Sequence, residues 1–180
     1  MFRYITNAEK RQIDSVLAEI TGFESSSLWS KSQMILIHRK QNRVYVVPPR
    51  VLDLLKTIDQ RKSRTKGLKL EFACKEIGVL MQDDFHIGLE VIYELAAYVE
   101  DKFVVNQTGE LDFLFGKDIS RENVLSLPRN YIKGKKVIVF SKDMCPLGLA
   151  QYESTPEEVG SSSNIATNLI DFGYYLRSGG

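Results

Sequence analysis

The chain has 180 residues, 24 basic against 23 acidic side chains for a net charge of +1, and 43% hydrophobic residues. That length allows one compact domain or two small ones. No apolar run approaches the roughly 20 residues of a membrane-spanning helix, and "MFRYITNAEKRQ" turns charged too early for a signal peptide, so an intracellular protein is expected.

The first element is a helix. Thr6-Asn7-Ala8-Glu9 has the form of a capping box, and Ile13, Val16, Leu17 and Ile20 repeat at helical spacing up to Gly22. "MILIH" and "VYVV", separated by the polar "RKQNR", predict a pair of strands. Pro48 and Pro49 suit a helix start, with Val51, Leu54, Leu55 and Ile58 on one face. The basic loop "DQRKSRTKG" follows. Leu68, Leu70 and Phe72 alternate with charged residues as on a half-buried strand, "IGVLM" reads as another, and Val91, Ile92, Leu95, Tyr98 and Val99 mark a helix. After Glu100-Asp101 the apolar runs become short: "FVV", "LDFLF", "NVLSL", "VIVF", "LGLAQY", "ATNLI" and "YYL". Closely spaced short strands predict a small barrel or sandwich. The fold class is therefore α+β: an N-terminal α/β domain of helices and a mainly antiparallel sheet over residues 1–99, then a β domain over 100–180. The serine-rich "STPEEVGSSSN" resembles a mobile loop.

Charge is segregated along the chain. From Lys56 to Lys69, six basic residues (Lys56, Arg61, Lys62, Arg64, Lys66, Lys69) face Asp59, a local charge of +5. From Glu71 to Asp112, Lys75 and Lys102 face ten acids, giving −8; from Lys117 to Lys142, seven basics face Asp118 and Glu122, giving +5. Local basic segments can bind phosphates in a chain that is neutral overall, or be simply solvated loops. Both readings stand on charge alone.

Cys74 and Cys145 are the only cysteines, with no CxxC pair and no clustered histidines, so neither a zinc site nor a disulfide scaffold is expected. Cys145, in "SKDMCPLG", would need a base to act as a nucleophile, and the two histidines, His38 and His86, lie in apolar segments of the first domain. The simpler reading is a hairpin corner, with Pro146 fixing the backbone and Gly148 allowing a close approach. "IKGKK" fails as a phosphate loop: the first glycine of the motif would fall on Arg129, and Lys136 stands where Ser or Thr is required. No catalytic residue, cofactor or metal is expected.

"FLFGKDI" (113–119), "VLSLP" (124–128), "PLGLAQ" and "DFGYYLR" (171–177) together resemble a PUA domain, the small RNA-binding pseudo-barrel. With "NRVYVV", "FHIGLEVIYELAAY" and "KFVVNQTGELDFLFGKD" the chain resembles, over roughly residues 40–177, an archaeal and eukaryotic family of large-ribosomal-subunit assembly factors with an N-terminal α/β domain and a C-terminal PUA domain. The resemblance implies a non-catalytic RNA-binding protein of large-subunit assembly and pre-rRNA processing. Its implied partners are RNA, an rRNA precursor, and ribosome assembly proteins, with no membrane and no small-molecule substrate. The implied location is cytoplasmic in an archaeon and nucleolar or nuclear in a eukaryote. "IGVLMQDDF" departs from the basic, threonine-containing stretch usual in the family, carrying two acids and no base.

No Lys or Arg occurs between Lys142 and Arg177, so if RNA binds the PUA domain its basic face comes from Lys117, Arg121, Arg129, Lys133, Lys135, Lys136 and Lys142, with Arg177 as an outlier. Lys117 and Arg121, four apart, are expected on one helical turn. Tyr131 is a candidate for base stacking or for packing, and Phe113, Phe115, Phe172, Tyr174 and Tyr175 are expected mostly in the core. Arg61, Lys62, Arg64 and Lys66 form a second candidate RNA surface. Two other classes compete: an RNA-modifying enzyme or an accessory subunit of one, targeted by its PUA domain, and a conjugated modifier suggested by the terminal "LRSGG". Against the first, residues 1–100 hold no glycine-rich cofactor loop; against the second, three residues after a last barrel strand leave little reach.

Overall fold

The computed structural model describes residues 2–38, 42–60, 74–82, 84–129, 131–154 and 163–177. The chain falls into two compact units, Met1–Ala18 with Phe23–Val91 and Glu19–Gly22 with Ile92–Gly180.

In the first unit, β1 (Phe2–Tyr4) leads into α1 (Asn7–Thr21) through the expected capping box. The Glu9 N–H donates to Thr6 Oγ1 at 3.3 Å, and the Glu9 carboxylate accepts the Thr6 N–H at 2.7 Å. Arg3 grips the same carboxylate with two hydrogen bonds, one of 2.8 Å. That pairing, opposed by burial and helped by Thr6, lowers the Glu9 pKa from 4.5 to about 2. Ile13, Val16, Leu17 and Ile20 are all buried, as the helical stripe predicts.

After α2 (Ser25–Leu28), β2 (Gln33–His38) and β3 (Asn42–Val47) pair antiparallel with Ile35 opposite Tyr45, the strand pair expected from "MILIH" and "VYVV". The helix α3 (Pro49–Gln60) begins on the second proline, whose missing N–H costs nothing at a first helical position. With β4 (Lys75–Leu80) and β5 (Phe85–Ile87) the strands form one antiparallel sheet in chain order. Ile35, Ile37, Tyr45 and Val47 share a face and cluster with Leu52 and Leu55 of α3. The alternate residues Leu36 and Val44 are buried too, and a sheet buried on both faces reads as continuous apolar runs, as these strands do. The helical stripe expected to reach Val99 forms α4 (Leu89–Leu95), which belongs to the second unit from Ile92 on, and tightens into a 3-10 turn at Ala96–Tyr98. The strand expected at Leu68–Phe72 and the basic loop with Arg61, Lys62, Arg64 and Lys66 lie outside the described residues, as does most of "STPEEVGSSSN".

The second unit contains β6 (Phe103–Val105), α5 (Gln107–Leu114), β7 (Ile119–Ser120), a 3-10 turn at Arg121–Asn123, β8 (Val124–Ser126), β9 (Lys136–Phe140), β10 (Pro146–Tyr152), β11 (Asn164–Asp171) and α6 (Tyr174–Arg177). The strands lie in the order β7-β11-β10-β9-β6-β8, antiparallel except for β6 against β9, in a nearly closed, barrel-like sheet. Phe103, Phe113, Val139, Tyr152 and Ile165 belong to its core, where the Phe103 and Tyr152 rings meet edge-on with centroids 5.4 Å apart. The α+β expectation and the barrel are borne out.

Three local expectations are corrected. "LDFLF" forms the end of α5 rather than a strand, because Asn106 caps a helix there: its Oδ1 accepts the Gly109 N–H at 2.8 Å. "YYL" belongs to the helical turn α6 rather than to a last barrel strand. Gly173 makes the turn possible, since a Cβ there would sit 1.8 Å from the Leu114 carbonyl oxygen. Lys117 and Arg121 do not share a helical turn, because α5 ends at Leu114 and β7 separates the two residues.

Cys-Pro-Leu-Gly is a hairpin corner, as expected. The Ser141 N–H donates to the Cys145 carbonyl at 2.9 Å, the Met144 N–H to the Ser141 carbonyl at 3.0 Å, and Met144 takes φ 64°. The Cys145 N–H donates to Ser141 Oγ at 3.2 Å, and Cys145 is exposed. At Gly148 a Cβ would lie 2.2 Å from the Ile170 carbonyl oxygen, so β10 and β11 pair here only with glycine.

Candidate nucleic-acid interface

The segment entering β9 is anchored by hydrogen bonds at several described residues. Tyr131 is pinned by its hydroxyl, which donates to the carbonyls of Ser154 and Ile165, and its ring lies 3.9 Å from that of Tyr152. It is half-buried and packs against the core, the packing alternative expected from the sequence. A turn follows, closed by the Lys135 N–H donating to Ile132 O at 3.1 Å. The turn is tied to β10 through the Gly134 N–H to Tyr152 O at 2.7 Å and Gln151 Nε2 to Gly134 O at 2.8 Å. Upstream, the Arg129 N–H donates to the Asp101 carboxylate. This framework brings Arg129 and Lys133, both exposed, and Lys135 and Lys136, both half-buried, to the lead-in of β9. Among the described residues no ion pair engages the side chains of Arg129, Lys133 or Lys135.

The other sequence-derived cations stand apart from that lead-in. Lys142 is exposed on the β9–β10 turn, and Val137–Phe140 separate it from Lys136 by about 15–20 Å of strand. Arg121 is half-buried in the 3-10 turn, with its N–H on Ser163 O at 3.0 Å. Lys117 is exposed after α5, but its Nζ lies 2.7 Å from Asp112 Oδ1. The structure thus groups Arg129, Lys133, Lys135 and Lys136, ties up Lys117 and sets Lys142 at the far end of the hairpin.

Arg177 is committed internally. Its guanidinium pairs with Asp171 at 2.9 and 3.0 Å and also donates to the Leu114 carbonyl at the end of α5. Asn168 Nδ2 donates to Phe113 O at 2.8 Å and to Asp171 Oδ2 at 3.2 Å, and the Asn168 N–H donates to Asp118 at 3.0 Å. Hydrogen bonding to Asp171 raises the Arg177 pKa further above its usual value. This network fastens α5 and α6 to β11. Sequence reasoning expected the nearby aromatics mostly in the core, yet only Phe113 is fully buried; Phe115, Tyr174 and Tyr175 are exposed. Among the described residues, no group of three His, Cys, Asp or Glu side chains is placed to hold a metal ion, and no helix is long and apolar enough to cross a membrane.

Comparison with known families decides what this barrel is: residues 101–180 match the family described as the UPF0113 PUA domain. The barrel is a PUA domain, similar to those of that family. The match covers the blocks between 113 and 177 that resemble a PUA domain, and that resemblance is borne out. Over nearly its whole length the chain is also similar to two curated proteins. It is 25% identical over 179 residues to the 60S ribosome subunit biogenesis protein NIP7 of Saccharomyces cerevisiae, covering 97% of this chain and 96% of that one. With the NIP7 homolog of Danio rerio it shares 24% identity over 180 residues, covering 98% and 97%. Two archaeal structures share the whole fold. A hypothetical protein of Pyrococcus horikoshii OT3 superposes with a TM-score of 0.61 at 12% identity, covering 98% of this chain and 99% of that one. A conserved PUA domain protein of Thermoplasma acidophilum gives 0.60 at 14%, covering 99% of both. The Arg129–Lys136 platform lies within the residues that match the PUA domain.

Proposed function

We propose that this protein is a non-catalytic RNA-binding factor in large ribosomal subunit assembly and pre-rRNA processing. The observation that carries the reading is the similarity to the NIP7 proteins, named for 60S subunit biogenesis, which spans both units rather than the PUA domain alone. We assign residues 1–99 to the N-terminal domain and 100–180 to the PUA domain. RNA contact is assigned first to Arg129, Lys133, Lys135 and Lys136, with Arg121 and Lys142 at the margins and Lys117 as a paired cation. The lysines and arginine of the platform reach phosphates and read no sequence, so they set affinity and salt dependence rather than specificity.

The absence of a catalytic role is supported by the position of Cys145, whose surroundings are those of a tight turn: Ser141 and the exposed Met144, with no histidine in its own unit. The partners are an rRNA precursor and assembly proteins. In a eukaryotic host these place the protein in the nucleolus or nucleus, and in an archaeon in the cytoplasm.

The test is crosslinking of RNA to the full-length protein in cells, followed by sequencing of the RNA and mapping of the attached peptides. The reading expects large-subunit precursor RNA and peptides spanning 129–136. Recovery of tRNA or messenger RNA without rRNA precursor would remove the ribosomal assignment, and crosslinks confined to other peptides would move the site.

A further inference from the structure

The first unit holds a half-open cleft of about 450 Å³, within the range of small-ligand sites, roughly 300–1,000 Å³. The first turn of α1 forms one wall and the Ser25–Ser32 segment the other. Apolar surface comes from Tyr4, Trp29, Met34 and Val46, so the cleft is lined by two aromatic side chains. Tyr4 is 46% exposed and Trp29 half-buried.

The polar groups of the cleft narrow its ligand. Among the described residues, Lys10 is its only charged lining residue, and it is held by Asp14 in an ion pair. The Ser25 N–H is bound to Asp14 at 2.9 Å. Thr6 Oγ1 accepts the Glu9 N–H. What remains at the mouth is uncharged: Asn7, Ser26 and Ser30, all exposed, whose side chains donate as well as accept. A phosphate or carboxylate would meet no uncommitted cation here, and an aliphatic ligand would leave amide and hydroxyl groups without partners. A flat, uncharged ring with donors and acceptors along its edge satisfies both the aromatic and the polar surfaces.

We propose that this cleft takes an unpaired nucleobase of the bound RNA, against Tyr4 and Trp29, as a contact separate from the basic platform of the PUA domain. The inference rests on the RNA-binding reading above and gives it a base-contacting element, which the phosphate-binding platform lacks.

Trp29 is the single tryptophan of the chain, so its emission reports on the cleft directly. Full-length protein is titrated with pentauridylate and pentaadenylate and, separately, with the mononucleotides UMP and AMP. The anisotropy of the same oligonucleotides carrying a fluorescent label measures total binding. The expected result is saturable quenching of Trp29 by oligonucleotide, with weaker quenching by the mononucleotides. Tyr4→Ala should weaken the quenching titration about tenfold, the typical effect of losing one base–aromatic stack. Ser26→Glu, at an exposed position where folding is not at stake, should weaken it through repulsion of the RNA strand. Replacing Arg129, Lys133 and Lys135 by alanine should shift the titration to higher concentration and leave the quenching at saturation unchanged. Oligonucleotide binding by anisotropy with Trp29 emission unmoved overturns the inference and leaves the proposed function standing. Quenching that neither cleft variant alters also overturns it. Quenching by mononucleotides without any oligonucleotide binding makes the cleft a free-nucleotide site and removes the RNA strand as occupant, and absence of all RNA binding removes the proposed function as well.

Discussion

Two basic regions of the PUA domain look alike in sequence and differ in structure. At the α5–α6 corner, Lys117 faces Asp112 and Arg177 faces Asp171, so each cation already has an anion. At the lead-in to β9, the side chains of Arg129, Lys133 and Lys135 have no ion-pair partner among the described residues. A phosphate approaching the corner must compete with a carboxylate already in place, whereas at the lead-in it displaces only water and counterions. Net charge per segment counts these cations equally; pairing makes the corner structural and the lead-in available.

The comparison breaks most visibly if the corner is disturbed. Gly173→Ala should destabilise the protein by roughly 1–3 kcal/mol or more, because the new methyl cannot coexist with the Leu114 carbonyl without a backbone shift. Arg177→Ala should lower the denaturation midpoint, since it leaves Asp171, which is 3% exposed, without its cation. Chemical denaturation measures both. Where Arg177→Ala remains folded, its RNA affinity should have the wild-type salt dependence, and a flattened dependence would mean that Arg177 touches phosphate after all.

A smaller effect belongs to acid pH. Glu9 titrates near 4.5 when unfolded and near 2 when folded, so its contribution is fully present above about 4.5 and is lost as pH falls toward 2. Glu9→Gln should therefore cost stability at pH 7, by less than about 1 kcal/mol because the Arg3 side chain is half exposed and solvent screens the pair. The difference from wild type should vanish near pH 2. Stability curves of both proteins between pH 2 and 7 measure it, and a gap that persists at pH 2 would assign the loss to the helix cap rather than to the charge.

The smallest effects are expected at Tyr152 and Cys145. The Tyr152 hydroxyl is buried with no hydrogen-bond partner among the described residues, and burial, with Tyr131 and Asp101 adding to it, keeps the phenol protonated far above its usual range. Tyr152→Phe should leave thermal stability unchanged or raise it slightly. Cys145→Ser should change neither RNA affinity nor growth of a host that depends on the protein. A folded Cys145→Ser protein without function would show that the hairpin corner carries chemistry.

Much of the fold was legible because its signals are local. The α1 capping box, the paired runs of β2 and β3, the proline start of α3 and the corner at Cys145 each depend on a few neighbouring residues. The errors have two sources, a local cap outweighed by its apolar neighbours and a set of distant contacts. In "NQTGELDFLF" the apolar residues suggested a strand, while the cap at Asn106 started a helix. In "DFGYYLR" the aromatic run suggested a strand, while the fit of Gly173 under Leu114 and the grip of Arg177 on Asp171 bend the chain into α6. The site was legible as a list of cations and not as a grouping. Whether Lys117 is paired and how far Lys142 lies from Lys136 are properties of the folded chain. Tyr131 shows the same limit, since its sequence position between basic residues gives no sign that its ring packs on Tyr152.

The central claim is that Arg129, Lys133 and Lys135 of the lead-in, not the paired corner, bind RNA phosphates, and salt dependence tests it most directly. Affinity for one single-stranded RNA is measured over a range of salt concentrations for wild type, for Arg129, Lys133 and Lys135 all replaced by alanine, and for Lys117→Ala. Each phosphate contact contributes about 0.7 to the slope of log affinity against log salt, so the triple variant should flatten the slope by roughly 2. Lys117→Ala should change it by much less than 0.7, because Lys117 already neutralises Asp112. A triple variant with the wild-type slope, beside a Lys117→Ala protein with a clearly flatter one, would contradict the account.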